Sequence, residues 1–166
     1  MMRDALYGGV NAAVVTPMRA DLSVDLDRMA GHCRWLLANG CTGLAVLGTT
    51  GEANSMGIEE RIAILEGLVA RGIQARIMLP GTGTTAIPDT VLLTTRAAEL
   101  GCRGALLLPP FFYKNPSDDG LFAYFSEVIQ RTGGRALVMR VRERGGAGGG
   151  PAIPRCGVRA ARPRAR

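Results

Sequence analysis

The sequence predicts an α/β fold built around a parallel sheet. Short, fully apolar segments alternate four times with amphipathic segments of helical period, and each apolar segment runs into a stretch of Gly, Thr or Pro. Parallel neighbours must be joined by crossovers, and four strand–helix units in roughly 130 residues supply them. Strands apolar throughout are covered on both faces, which fits an open doubly wound sheet or a closed barrel alike.

The first unit opens with GVNAAVV over 9–15, rich in β-branched residues and ended by Thr16-Pro17. Ser23 is the expected cap of the helix that follows. Leu26, Met29, Ala30, Cys33, Leu36 and Leu37 recur at spacings of three and four, and Asn39-Gly40 stops the run. In the second unit LAVLG (44–48) is the strand, and Ile58 to Ala70 is a helix with positions 58, 62, 65, 68 and 69 on its apolar face. The third unit pairs ARIMLPG (75–81) with a helix from Asp89 to Leu100. The fourth pairs GALLLPP (104–110) with a helix over 117–131, capped by Ser117 and carrying acids in its first turn.

The formal charge of +6 is unevenly placed. Residues 1–134 sum to −2, whereas 135–166 hold nine Arg and one Glu, a sum of +8. The last segment has no apolar period and is dominated by Gly, Ala, Pro and Arg, so it cannot bury enough surface to offset its ordering entropy. Two readings of it compete: a basic arm for nucleic acid, or an out-of-frame translation of a GC-rich gene, and the abrupt change within an expected fifth strand favours the latter. The expected division is therefore a domain over 1–134 and an irregular tail over 135–166, with no nucleic-acid partner.

Cys33, Cys41, Cys102 and Cys156 form no CxxC pair and His32 is the lone histidine, so no metal site is expected and the thiols read as buried groups in a reducing compartment. Neither a secretory leader nor an apolar run of membrane-spanning length is visible, and a cytoplasmic location without membrane contact is the expectation.

Three turns follow strand C-terminal ends, where βα loops build active sites. In Gly48-Thr49-Thr50-Gly51-Glu52 the glycines permit a tight turn, while adjacent hydroxyls and exposed N–H groups could cradle a carboxylate. The plain alternative is a glycine turn whose threonines cap the next helix. Gly81-Thr82-Gly83-Thr84 is a second such turn. Phe111-Phe112-Tyr113-Lys114 leaves the fourth strand; Tyr113 could relay protons or simply pack over a loop, and Lys114, beside Asn115 and Pro116, reads as a solvated surface lysine.

Taken in order, VVTP, GTTGE with its (M/L)xxEER helix, PGTGT and LLLPPFFYKNPSDDGL resemble the dihydrodipicolinate synthase and N-acetylneuraminate lyase family of class I pyruvate aldolases. The resemblance covers residues 7–134, about half of a barrel of ~250 residues, and implies the N-terminal half of a (β/α)8 TIM barrel. It implies pyruvate condensing with a lysine amine to an imine, proton loss to an enamine, and aldol addition to or cleavage from an aldehyde, with no cofactor. Thr50 and the backbone of the turn, with Gly48 and Gly51, would hold the pyruvate carboxylate. Thr49 would be the middle hydroxyl of a tyrosine–threonine–tyrosine relay. Tyr113 matches the relay tyrosine that crosses a subunit interface, which brings a homo-oligomer with it. The family's fifth-strand tyrosine and sixth-strand lysine have no counterparts: no tyrosine follows Tyr124 and no lysine follows Lys114. Met18 and Phe112 are smaller departures. The chain is thus expected to be truncated before the nucleophile and inactive. The alternative is a non-catalytic half-barrel that binds nucleic acid through its basic tail.

Overall fold

The structure, a computed structural model, describes residues 9–133. The tail beyond 134 and the fifth strand expected within it lie outside the described residues. The elements follow in the order β1 (Val10–Ala13), α1 (Leu26–Ala38), β2 (Cys41–Ala45), α2 (Ile58–Ala70), α3 (Ile87–Glu99) and α4 (Asp118–Arg131). Short 3-10 turns occupy Ala53–Ser55 and Ala75–Ile77.

β1 and β2 pair in parallel, with Ala12 opposite Leu44 and Ala13 opposite Ala45. The second strand thus lies at 41–45 and not at 44–48, because Leu47 swings into the left-handed region at φ 54 and ends the extended run. The third and fourth apolar segments do not form the full strands expected. They join the layer through parallel bridges at Leu44–Met78 and Gly81–Leu106. Leu79 and Gly81 donate to the carbonyls of Leu44 and Val46, both at 2.8 Å, and Leu106 donates to Pro80 at 2.8 Å. Prolines account for the brevity: Pro80 has no N–H to give the fourth segment, and Pro109 and Pro110 end that segment's own ladder. The layer order β1, β2, third segment, fourth segment is that of one half of a parallel barrel.

The helices lie where the periodicity places them, with three corrections. Ser23 does not cap α1; its hydroxyl and amide both donate to Asp21 Oδ1, at 2.6 and 3.0 Å. Met18 and Val24 form an antiparallel bridge that keeps the chain extended there, so Asp25 becomes the cap, accepting from Arg28 N at 3.0 Å. In α2 the buried stripe is Arg61, Ile64, Leu65 and Leu68, rotated from the apolar face expected, and it carries a charged residue. α3 begins at Ile87, two residues early, with Pro88 in its first turn where a missing N–H is harmless. Ser117 caps α4 as expected, accepting from Gly120 N at 3.1 Å.

The core is one cluster between the strand layer and α1–α2, centred on Val14, Met29, Cys33, Leu44, Leu65 and Met78. A smaller cluster of Leu107, Tyr124 and Val128 lies under α4. Ion pairs tie the outer layer together: Arg71 to Asp27 at 2.7 Å joins α2 to α1, and Arg96 to Glu66 at 2.5 Å joins α3 to α2. Exposed pairs of this kind contribute only about 0.2–1 kcal/mol each, so the apolar cluster dominates.

Candidate functional site

The turn at Gly48–Glu52 sits at the C-terminal end of β2 and is bounded by two residues in the left-handed region, Leu47 at φ 54 and Glu52 at φ 55. Inside it Glu52 N donates to Thr49 O at 3.1 Å and Ala53 N to Gly48 O at 3.3 Å. A third tether comes from the end of the first strand segment, where buried Thr16 donates its hydroxyl to Gly51 O at 2.7 Å. A Cβ on Gly51 would stand 2.9 Å from Val14 O and 3.1 Å from Leu47 N, so the backbone closes here only around glycine. The threonines are turned outward: Thr49 and Thr50 are exposed. Among the described residues, the N–H groups of Gly48, Thr49, Thr50 and Gly51 donate to no acceptor, and neither threonine hydroxyl has a partner. The turn therefore presents clustered donors at the edge where the strands run out.

Behind the turn lies a cavity of about 40 Å³ lined by Leu47, Gly48, Thr49, Ala53, Asn54 and Arg61, and closed by the Gly81–Gly83 turn and Leu106 and Leu108. Gly81 and Gly83 are forced by close approach, since side chains there would run into the Leu47 carbonyl and the Leu108 backbone. Arg61 reaches from α2 across the cavity wall, and its Nη2 donates to Gly81 O at 2.7 Å. This joins the helix after the first glycine turn to the second.

The second turn is held by hydroxyls. Thr82 and Thr94 share a hydrogen bond of 2.8 Å, and Thr90 Oγ1 lies 2.9 Å from both Thr84 Oγ1 and Tyr124 OH. Tyr124 donates to Thr84 O at 2.7 Å, so a residue of α4 fixes the loop before α3. Burial raises the Tyr124 phenol above its ordinary pKa, and the bonds with Thr90 and Thr84 oppose that only in part.

Of the residues singled out in the sequence, Gly48 and Thr49 border the cavity together, Thr50 is on the outer surface of the turn, and Gly51 is buried beneath it. Tyr113 is not brought to them. It is 61 % exposed on the loop after the fourth segment, edge-on to Phe112 at 5.8 Å, and among the described residues no hydrogen bond joins it to Thr49. Lys114 is likewise exposed. His32 stacks on Trp35 with ring centroids 6.2 Å apart, on the outer side of α1 and away from the turn. No group of three metal-ligating side chains and no helix long and apolar enough to cross a membrane occurs among the described residues.

The model of the dihydrodipicolinate synthetase family matches residues 6–151. The chain belongs to this family. A DapA-like lyase of Chloroflexus aurantiacus is 37 % identical over 132 residues, covering 79 % of this chain and 44 % of the relative. The 4-hydroxy-tetrahydrodipicolinate synthase of Desulforamulus reducens is 35 % identical over 127 residues, covering 76 % and 42 %. Among solved structures, dihydrodipicolinate synthase from Agrobacterium tumefaciens superposes with a TM-score of 0.75 at 42 % identity, over 78 % of this chain and 46 % of that one. A prophage protein of the same family from E. coli K12, solved with pyruvate, gives 0.68 at 32 % identity, over 76 % and 42 %. The chain thus spans less than half the length of the family members it matches. Its four units are a partial family barrel, and the lyase and aldolase chemistry is the family's.

Three residues that position these turns escaped sequence reasoning. Arg61 was visible as the arginine of the EER motif, but its place on the buried stripe, four residues before Leu65 and seven before Leu68, is the signal that marks it. Thr16 reads in the sequence only as a strand end. Tyr124, an apolar-spaced aromatic of α4, gives no sign in the sequence that its hydroxyl is bonded 40 residues back.

Proposed function

We propose that this stretch is the carboxylate-binding half of a pyruvate-dependent class I aldolase site. The observation that carries the reading is the Gly48–Gly51 turn, which sets four unclaimed N–H groups beside two outward hydroxyls at the strand ends while Thr16 anchors it from below. Thr50 and the turn's N–H groups bind the pyruvate carboxylate, and Gly48 and Gly51 give the backbone its approach. Thr49 passes protons as a neutral hydroxyl, which both donates and accepts. Tyr113, exposed at the rim, completes its part of the relay only against a second copy of the chain, which makes the working form a homo-oligomer. The partner substrate is an aldehyde, and the reaction joins it to, or cleaves it from, the enamine of pyruvate.

The covalent step is not this stretch's own. Lys114 is the sole lysine of the chain, and it stands on an exposed loop rather than in the desolvated pocket a Schiff-base amine needs. The chain as given is accordingly inactive alone. The division at 134/135 is a reading of composition, set against a family match that runs on to residue 151, and the coding sequence around codon 135 tests it.

Titration of the full chain with pyruvate and with its methyl ester, followed by amide NMR, tests the cradle. Pyruvate shifts the Gly48–Gly51 signals, the ester does not, and Thr50→Val weakens pyruvate binding about tenfold, the worth of a hydrogen bond to a charged group. Equal binding of acid and ester would refute the carboxylate assignment. Pyruvate with borohydride leaves the mass of the chain unchanged; a reduced adduct on Lys114 would overturn the inactive reading.

A further inference from the structure

Arg61 is a buried cation without a contact counter-ion. It is 3 % exposed, takes part in no ion pair within 4.0 Å among the described residues, and its Nε–H has no acceptor there. Burial drives the Arg61 pKa below its ordinary value, and the field of Asp89 opposes that only in part. A buried guanidinium is normally paired, and an unpaired donor in a dry site is strongly disfavoured. Arg61 also lines the cavity behind the Gly48–Glu52 turn.

We propose that this cavity is a binding site for a small monovalent anion of halide size, held by Arg61 behind the carboxylate cradle. The volume suits it: about 40 Å³ is several times the ~10–15 Å³ that one water needs. No carboxylate lines the cavity, and the amide of Asn54 and the unclaimed N–H group of Gly83 are further donors among its lining residues. Leu47, Leu106 and Leu108 make the remaining wall apolar, which strengthens the attraction between the guanidinium and an anion. A water would satisfy the Nε–H but leave the charge uncompensated. Occupied, the site fastens α2 and both glycine turns to one ion; empty, it leaves only the bond from Arg61 to Gly81.

The full chain is titrated with chloride and bromide at constant ionic strength, using methanesulfonate as the balancing anion, with melting temperature and chloride NMR linewidth as readouts. The expected result is a saturable rise in melting temperature, with chloride line broadening that bromide reverses. Arg61→Met abolishes both effects, and Arg61→Lys, which keeps the charge, raises the half-saturating concentration about tenfold, as the loss of a charge-assisted bond predicts. Should Arg61→Met fail to fold, the Arg61→Lys shift and the wild-type linewidth decide the matter alone. An absence of saturation in the wild type, or the same saturation in Arg61→Met or Arg61→Lys, overturns the proposal. Thr50→Val separates it from the pyruvate reading: pyruvate binding falls while the halide response stays.

Discussion

Thr16 and Gly51, 35 residues apart, are joined by a buried hydrogen bond of 2.7 Å from the threonine hydroxyl to the glycine carbonyl. Through it the end of the first strand segment sets the position of the turn that follows the second. Replacing Thr16 with Val keeps the volume and leaves the Gly51 carbonyl buried without its donor, at a cost of about 1–3 kcal/mol. Thr16→Ser restores most of that. Chemical denaturation of the two variants is the measurement, and equal midpoints for Val and wild type would show that the bond does not hold the turn.

Gly51→Ala probes the same spot from the steric side. The added methyl would press on Val14 O and Leu47 N, both backbone atoms of strand ends that cannot swing aside. An overpacked buried site of this kind loses about 1–3 kcal/mol. Gly57→Ala, where a Cβ meets nothing within 4 Å, is the matched control and should change the denaturation midpoint far less.

Tyr124 gives a pH-dependent expectation. Its pKa is raised in the folded state by burial, so the stability this group contributes is complete below the pKa of the unfolded phenol and is lost as pH rises through the folded value. In an alkaline titration followed by tyrosinate absorbance, Tyr124 ionises above the range of an ordinary phenol. Tyr124→Phe removes that late step and, by leaving Thr84 O without its 2.7 Å donor, destabilises the chain by about 1–3 kcal/mol.

The thiols give a fourth test. Burial pushes Cys33 and Cys102 up to about 11 from 9.0. At pH 8 their thiolate fraction is then roughly one in a thousand, against about one in ten for the unperturbed group. Alkylation followed by peptide mass spectrometry should find both about a hundredfold slower in the native chain than in denaturant. Native rates equal to those in denaturant would mean that the core around α1 opens readily.

What was legible in the sequence is what depends on period and on local chemistry. The four helices follow from apolar spacing, and Ser117 and the glycine turns from the conformations that only those residues supply. The strands were harder to place, because an apolar run such as Ala45–Leu47 does not reveal where a left-handed residue will cut it short, nor ARIMLPG how much a proline will remove from its ladder. At the first glycine turn, the exposure of Thr49 and Thr50 was readable since both belong to a five-residue turn between glycines. Thr16, Arg61 and Tyr124 were not, because each acts on a partner 20 to 40 residues away, and period carries no information about such pairs.

The unclaimed amides of Gly48–Gly51 have a consequence for time as well as for binding. Amide protons of Leu79, Gly81 and Leu106, each fixed to a neighbouring segment, exchange with deuterium only when the strand layer opens. Those of Thr49 and Thr50 lie outside that protection and exchange at once. The turn is therefore a built-in clock: a ligand that settles there converts unprotected protons into slow ones, and the retardation measures residence directly.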